Sequence, residues 1–300
     1  MILLGDPHRG SYAHFSTASP EERTNAVIFV HGLLGNSVST WWRFQKLIDE
    51  DGDRSGFWNH SDLYFYRYDS FGHHISELSQ QLRGFLDVVF PEPTENAFEL
   101  AVLPELREIL APGSSFEEPV LPGRYQSLFL VGHSLGGVVI RQALVDLATT
   151  WRIRNAERAR VEPYLTAQVR LFSPAIRGFQ PTGVKGFLYH YAATHPIVGA
   201  VYESLTSLQE LKRDSQRLSD LQRDTERLAN EFAWMSALTA DLVYASTDIV
   251  YPGRYQCDLP ERTEPDHTHE SICKPHSHYP QPLWFVEYGV DYERSRSARS

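Results

Sequence analysis

The chain has 300 residues, of which 42% are hydrophobic and 22% charged, which fits one large globular domain or two small ones. Its formal net charge of -10 argues against a nucleic-acid partner, because phosphate binding needs clustered Lys and Arg. No apolar run approaches the ~18 residues of a membrane-spanning helix, and the start "MILLGDPHRG" lacks the basic region of a signal peptide. Two cysteines, Cys257 and Cys273, cannot form a disulfide framework. We therefore expect a cytoplasmic protein without stable membrane insertion.

Short β-rich runs alternate along the chain with segments of helical periodicity. The predicted strands are "AVIFV" from Ala26, "DLYFYRYD" from Asp62, "SLFLV" from Ser127, "QVRLF" from Gln168, "DLVYAS" from Asp241 and "PLWFVEYGV" from Pro282. The predicted helices are "STWWRFQKLIDE", "HISELSQQLRGFLDVVF" and "LGGVVIRQALVDLATTW". This alternation predicts an α/β fold with a mostly parallel central sheet and helices on both faces.

Three segments depart from the alternation within the single domain predicted over residues 1–300. Residues 92–123 are rich in Pro and Glu and indicate a surface excursion. Residues 174–240 form a predicted helical insertion, in which 205–232 carries an apolar stripe typical of one long amphipathic helix. That helix could cover the sheet, bind a partner, or form a cap over the carboxyl edge of the strands. The tail from about residue 292 to 300 is predicted to be disordered or linker-like.

The strongest functional signal is "GHSLG" at residues 132–136, which matches the pattern G-x-S-x-G. Ser134 directly follows the apolar strand "LFLV" and precedes a predicted helix, the context in which this pattern presents a nucleophile on a tight turn. Glycines on either side of the serine avoid crowding of the backbone. A glycine turn with an incidental serine is the competing interpretation, and the strand-to-helix context favours the nucleophile.

Acyl transfer also needs donors for the oxyanion that develops on the substrate. The backbone N–H of Leu135 lies at the start of a predicted helix, where free N–H groups favour negative charge. A second donor is expected from "VIFVHGLLGN", where the N–H of Leu33 follows the end of a strand. In the same stretch, His31 is a candidate base, although its place right after a strand favours a role in bracing the loop.

The motifs "HGLLG" and "GHSLGG", followed by a late Asp and a late His, resemble those of the α/β-hydrolase superfamily over nearly the whole chain. More narrowly, "VGHSLGGVVIRQAL" and "HESICKP" resemble the serine-esterase branch of PGAP-like and SERAC-like (DUF676-type) lipid hydrolases. Members of that branch often carry "TPHxG" where this chain reads "SPAIRG", residues 173–178. The resemblance implies an α/β-hydrolase fold in which the acid and then the histidine follow the nucleophile.

In that order, Asp248 is the predicted acid, because it comes just after the strand "DLVYAS". Asp241 begins the same strand and would lie at the wrong edge of the sheet, and Asp258 is the fallback. The base is expected within "PDHTHESICKPHSH", where His269 is preferred from the spacing of "HESICKP" and His267 is the alternative.

The same segment also contains two H-x-H pairs, a pattern that could bind zinc. The four imidazoles concerned are His267, His269, His276 and His278. No Cys or carboxylate set at helical spacing accompanies them, so we expect neither a metal nor a cofactor.

Together these residues predict a serine hydrolase of carboxylic esters, with lipid or other hydrophobic acyl esters as the substrate class and transient membrane contact as a possibility. Aromatic residues near the predicted mouth would suit an acyl chain, although core packing is the commoner role of such residues. They are Phe71, Phe179, Phe187, Tyr189 and Tyr191. The alternative is a non-catalytic module that binds a ligand or partner on the same fold. The oligomeric state is left open.

Overall fold

The computed structural model of the protein describes residues 2–3, 10–41, 44, 46–48, 56–70, 72–94, 123–154, 162–180 and 209–297. Its centre is an eight-stranded sheet of order β1-β2-β4-β3-β5-β6-β7-β8. The strands are β1 (Ile2–Leu3), β2 (Tyr12–His14), β3 (Asn25–Val30), β4 (Ser61–Tyr66), β5 (Ser127–His133), β6 (Gln168–Phe172), β7 (Ala240–Thr247) and β8 (Arg262–Thr268). Strands β3 to β8 all pair in parallel. At one edge, β2 pairs antiparallel with β4, and β1 pairs antiparallel with β2.

Helices cover both faces of the sheet, as the sequence predicted. The helices whose bounds the structure describes are α1 (Gly56–Asn59), α2 (Ile75–Val89), α3 (Leu135–Arg154), α4 (Gln216–Glu231), α5 (Gln281–Tyr288) and α6 (Tyr292–Ser297). Alternate residues of β3 face opposite layers: Ile28 and Val30 join the cluster with α2, α3 and α4, whereas Val27 and Phe29 join the one with α1, α5 and α6. The α/β architecture is thus confirmed, and the parallel strands direct their carboxyl ends to one edge of the sheet.

The structure differs from the sequence prediction at two places on the C-terminal side. The run from Pro282 is not a strand but helix α5, which begins after Pro280 and ends at Gly289, whose φ is 76°. The strand that pairs with β7 is β8, whose sequence "RTEPDHT" is too polar to have been recognised. It is an edge strand in which Glu264 is the one buried residue.

The predicted insertion contains a shorter helix than expected. Helix α4 begins at Gln216, because Asp214 has a φ of 59° and the Ser215 hydroxyl caps the helix by accepting from the Leu218 N–H at 3.3 Å. It buries Leu218, Leu221, Thr225 and Leu228. These side chains pack in the same core as α3, so the described part of this segment covers a face of the sheet. Residues 95–122, Leu205 and Leu208 lie outside the described residues.

The tail also differs from the prediction, since residues Tyr292–Ser297 form helix α6. Tyr292 is buried, and its hydroxyl donates to a carboxylate oxygen of Glu264 at 2.9 Å. Among the residues described, no helix is long and apolar enough to span a bilayer.

Candidate active site

Ser134 occupies the sharp turn between β5 and α3. Its φ is 56°, in the left-handed region that residues with a Cβ avoid, so the turn holds this serine in a strained conformation. Its N–H donates to the Phe172 carbonyl at 3.1 Å. Its own carbonyl accepts from the N–H groups of Gly137 and Ala175, both at 3.1 Å. These bonds tie the turn to the end of β6 and stabilise the strained backbone.

The glycines of the motif are required by close packing of the backbone. A Cβ on Gly136 would lie 2.2 Å from the Val30 carbonyl oxygen, and one on Gly132 would lie 2.9 Å from the Gly137 Cα. A Cβ on Gly32, in the loop after β3, would lie 2.8 Å from the Ser134 Cβ. The loop after β3 is therefore pressed directly against the serine.

Asp248 and His269 form a hydrogen-bonded pair next to this turn. Asp248 follows β7 and His269 follows β8, so both lie at the carboxyl edge of the sheet, like Ser134. The His269 Nδ1 lies 2.7 Å from the Asp248 Oδ1. Since a carboxylate can only accept, Nδ1 carries a proton and donates it, so Nε2 is the ring nitrogen that can act as a base.

The Asp248 carboxylate accepts from four donors. Its Oδ1 also accepts from the Val250 N–H at 3.1 Å, and its Oδ2 accepts from the Ser173 hydroxyl and from the Ala245 N–H at 3.3 Å. Burial favours the neutral acid, but the hydrogen bond and charge of His269, then the hydrogen bonds from Ser173 and Val250, outweigh it. The pKa of Asp248 is therefore lowered. The carboxylate is ionised and fixed in orientation.

His133, the residue before the serine, braces His269 from the other side. Its Nε2–H donates to the His269 carbonyl at 2.7 Å, and the two rings lie 4.7 Å apart. Burial, reinforced by the charge of His269, lowers the pKa of His133 to about 3. This ring is therefore neutral and acts as a hydrogen-bond donor to the backbone.

Ser134 and His269 line one cavity of about 170 Å³. Its wall also includes the loop after β3 and the segment after His269; the residues concerned are Gly32, Leu33, Leu34, Gly35, Ser39, Thr40, His133, Glu270, Cys273 and Lys274. In that loop the Leu34 N–H donates to the Ser70 hydroxyl and the Gly35 N–H to the Gly32 carbonyl. Leu135 is the first residue of α3, so its N–H has no acceptor within the helix.

The other candidate bases have different partners. His267 stacks on Tyr279 with ring centres 3.6 Å apart, and its Nδ1 lies 3.3 Å from the Ser271 hydroxyl. His31 is fully buried, donates from Nδ1 to the Gly32 carbonyl at 2.8 Å, and stacks on Tyr68. Burial lowers the pKa of His31 to about 4. Both rings therefore pack against tyrosine side chains, whereas His269 is the imidazole that Asp248 contacts.

The other candidate acids lie away from this edge. Asp241, near the start of β7, pairs with Arg170, and Asp258 pairs with Arg141. Asp258 also accepts from the Ala240 N–H at 2.9 Å, which fixes it at the amino end of β7. Within the part of the chain that the structure describes, no group of three or more His, Cys, Asp or Glu side chains could hold a metal ion.

Of the aromatic residues expected at the mouth, Phe179 is buried with its ring centre 6.3 Å from that of His269. The other four lie outside the described residues.

Two residues of this site were not predicted. The roles of Ser173 and His133 depend on contacts to residues 75 and 136 positions away, respectively. The local signals were present, since Ser173 opens "SPAIRG" and His133 lies inside "GHSLG". Nothing in either pattern specifies the distant partner.

Comparisons with known proteins identify the family of the chain. The model of the alpha/beta hydrolase family matches residues 27–287. Among solved structures, the lipase BlEst2 of Bacillus licheniformis in its propeptide form is similar at 13% identity and a TM-score of 0.53, over 94% of this chain and 54% of that one. Phospholipase PlaB of Legionella pneumophila, in complex with thio-NAD, is similar at 14% identity and a TM-score of 0.53, over 92% of this chain and 61% of that one.

The chain thus spans little more than half the length of these two structures, and the likeness at such low identity is one of fold. No curated protein sequence matches it. Since the family model covers most of the chain, including the serine turn and the Asp248–His269 pair, the chain belongs to the alpha/beta hydrolase family.

Proposed function

We propose that the protein is a serine hydrolase that cleaves carboxylic esters, with Ser134 as nucleophile, His269 as general base and Asp248 as the acid that orients it. One observation carries the proposal: the strained serine and a histidine already bonded to a buried carboxylate line the same cavity. A serine hydroxyl is a weak nucleophile unless a base removes its proton, and Nε2 of His269 is the free basic nitrogen at this place.

The reaction follows from these proton positions. Ser134 Oγ attacks the acyl carbon while its proton passes to His269 Nε2, and the imidazolium then protonates the departing alkoxide. Water then attacks the acyl carbon and gives its proton to the same nitrogen, and the imidazolium returns that proton to Ser134 Oγ as the bond to Oγ breaks and the carboxylic acid leaves. Asp248 stays ionised throughout and stabilises the imidazolium, in keeping with its lowered pKa.

The proposed oxyanion donors are the backbone N–H groups of Leu33 and Leu135. Leu33 lies in the cavity wall, in the loop that Gly32 brings against Ser134. Leu135 follows the serine and begins α3, where the helix dipole favours a negative charge. The next two N–H groups of the loop are already bonded within the protein, which favours Leu33 as the second donor.

The proposed substrates are esters with a hydrophobic acyl group, because Leu33 and Leu34 form part of the cavity wall. Lipid esters belong to this class. We also propose that the protein is related to the PGAP-like and SERAC-like lipid hydrolases, on the basis of the motifs "VGHSLGGVVIRQAL" and "HESICKP".

Labelling with a fluorophosphonate tests the nucleophile. The wild-type protein is expected to gain the mass of one adduct, and Ser134→Ala is expected to gain none. Ser39→Ala is the matched control, because Ser39 lines the same cavity but is exposed and lies outside the strained turn. It should label like the wild type.

Absence of an adduct on folded wild-type protein, or an adduct that persists in Ser134→Ala, would contradict the proposal. The first result would favour a non-catalytic module of the same fold. With labelling established, p-nitrophenyl esters of increasing chain length would show whether kcat/KM rises with the apolar area of the acyl group.

A further inference from the structure

Ser173 lies at the point where β6 ends, beside the catalytic edge of the sheet. It is fully buried, and its hydroxyl donates to the Oδ2 of Asp248. The same hydroxyl oxygen accepts from the Ala245 N–H at 3.3 Å, and the Ser173 N–H donates to the Val243 carbonyl at 2.7 Å. Ser173 is thus anchored to β7, the strand that carries Asp248 at its end.

The two oxygens of the Asp248 carboxylate have different partners. Oδ1 faces the imidazole of His269 at 2.7 Å, and Oδ2 faces Ser173. Rotation of the carboxylate about its Cβ–Cγ bond would break both contacts together. A donor fixed on Oδ2 therefore also fixes the direction in which Oδ1 presents its lone pairs to the ring.

The backbone of Ser173 supports a specific use of its hydroxyl. Its φ is 41°, in the region where glycine is at ease and other residues are strained. Glycine would adopt this backbone conformation with less strain. The residue present is nevertheless a serine, whose hydroxyl donates to the Asp248 carboxylate. Strain held at a residue that contacts the site is typical of a functional position.

From this geometry we propose that Ser173 is a positioning residue, which holds the Asp248 carboxylate in the orientation that binds His269 Nδ1. The inference rests on the proposed function, since it assigns a task within the same site. It predicts that loss of the hydroxyl weakens the Asp248–His269 hydrogen bond while substrate binding is unchanged.

The test is Ser173→Ala, which removes the hydroxyl and keeps the Cβ. With p-nitrophenyl butyrate as the probe, kcat is expected to fall about tenfold, the scale of one hydrogen bond to a charged group, with KM within about twofold of the wild type. In proton NMR, the His269 Nδ1–H should give a resonance far downfield of the amides. That resonance should move upfield or broaden in Ser173→Ala and be lost in Asp248→Asn.

Ser79→Ala is the matched control. Ser79 is also fully buried, and its hydroxyl lies 3.1 Å from a carboxylate oxygen, the Oδ2 of Asp146, and 2.8 Å from the Ser76 carbonyl, but it lies in α2 away from the cavity. Its replacement deletes a buried serine hydroxyl beside a carboxylate elsewhere, so kcat and the downfield resonance should stay at wild-type values.

Ser173→Gly provides a second variant that accepts the positive φ and also lacks the hydroxyl. Both variants are expected to show the same loss of kcat and the same change in the resonance. Wild-type values of kcat and of the resonance in either folded variant would overturn the proposal, as would an equal loss in Ser79→Ala. The resonance is read without any ester, so a wild-type protein that failed to label with fluorophosphonate would contradict the proposed function and leave this measurement decisive for Ser173.

Discussion

The two edges of the parallel sheet both bury carboxylates, but they give them different partners. At the amino edge, Asp258 pairs with Arg141, and both side chains are almost completely inaccessible to solvent. At the carboxyl edge, Asp248 pairs with His269, which lines a cavity. A guanidinium keeps its proton at every relevant pH, whereas an imidazole can give one up and take it back. The partner of the carboxylate, more than its burial, therefore separates a structural ion pair from a candidate catalytic one.

The largest expected effect comes from the imidazole at the carboxyl edge. His269→Ala removes the only proposed base, so kcat should fall by on the order of a million-fold, as for other members of a serine triad. His267→Ala should keep kcat within about threefold, because this ring packs on Tyr279. Hydrolysis of a p-nitrophenyl ester measures both. The reverse order of effects would make His267 the base.

Exchange of one carboxylate for an amide at each edge tests the comparison directly. Asp248→Asn should lower kcat about 10⁴-fold, because the amide favours the wrong imidazole tautomer. Asp258→Asn leaves the buried Arg141 without its counter-charge, so the free energy of unfolding should fall by about 3–5 kcal/mol while kcat of the folded protein is retained. Urea unfolding and ester hydrolysis, measured on both variants, separate the two effects. Equal losses of stability and activity in both would remove the distinction.

Packing of the serine turn gives the next effect. In Gly136→Ala the new methyl would lie 2.2 Å from a carbonyl oxygen of Val30, so the free energy of unfolding should fall by about 3 kcal/mol or more. Gly84→Ala is the control, since this helical position in α2 has nothing within 4 Å of the new Cβ. It should raise the free energy of unfolding by about 0.5–1 kcal/mol. A Gly136→Ala protein as stable as the wild type would show that the backbone at Val30 and His31 can move away from the new methyl group.

The smallest effect, when expressed per pH unit, is a dependence of stability on pH that arises at the carboxyl edge. His31 and His133 have pKa values of about 4 and about 3 when folded, and the usual imidazole value is about 6.5. Near pH 5 the unfolded chain therefore binds protons that the folded chain does not. Each ring should cost about 1.4 kcal/mol of stability per pH unit as the pH falls below about 6, until its folded pKa is reached.

Urea unfolding at several pH values measures this slope. His133→Gln should reduce the slope of the unfolding free energy against pH by the contribution of one imidazole, about 1.4 kcal/mol per pH unit. His278→Gln, at an exposed position, should leave the slope unchanged. An unaltered slope in His133→Gln would show that His133 is protonated in the folded protein.

The sequence by itself determined the parts of this protein that are encoded locally. Apolar runs and helical periodicity identified five strands of the sheet and the helices α2 and α3, because burial on both faces leaves a continuous hydrophobic signal. The spacing of "GHSLG" located the serine turn, because the close backbone contacts that require its glycines arise within and next to the turn itself. Helix α5 was mistaken for a strand because a short apolar run is compatible with either element.

The tertiary structure alone decided which distant residues meet. The polar strand β8 carries no hydrophobic pattern, yet its pairing with β7 places His269 beside Asp248 and turns His267 towards Tyr279. Ser173 and Asp248 are 75 positions apart and meet because β6 and β7 are neighbours in the sheet. Residue types and local spacing can nominate such groups, but strand order and register set the distances between them, and those distances determine whether a proton can pass.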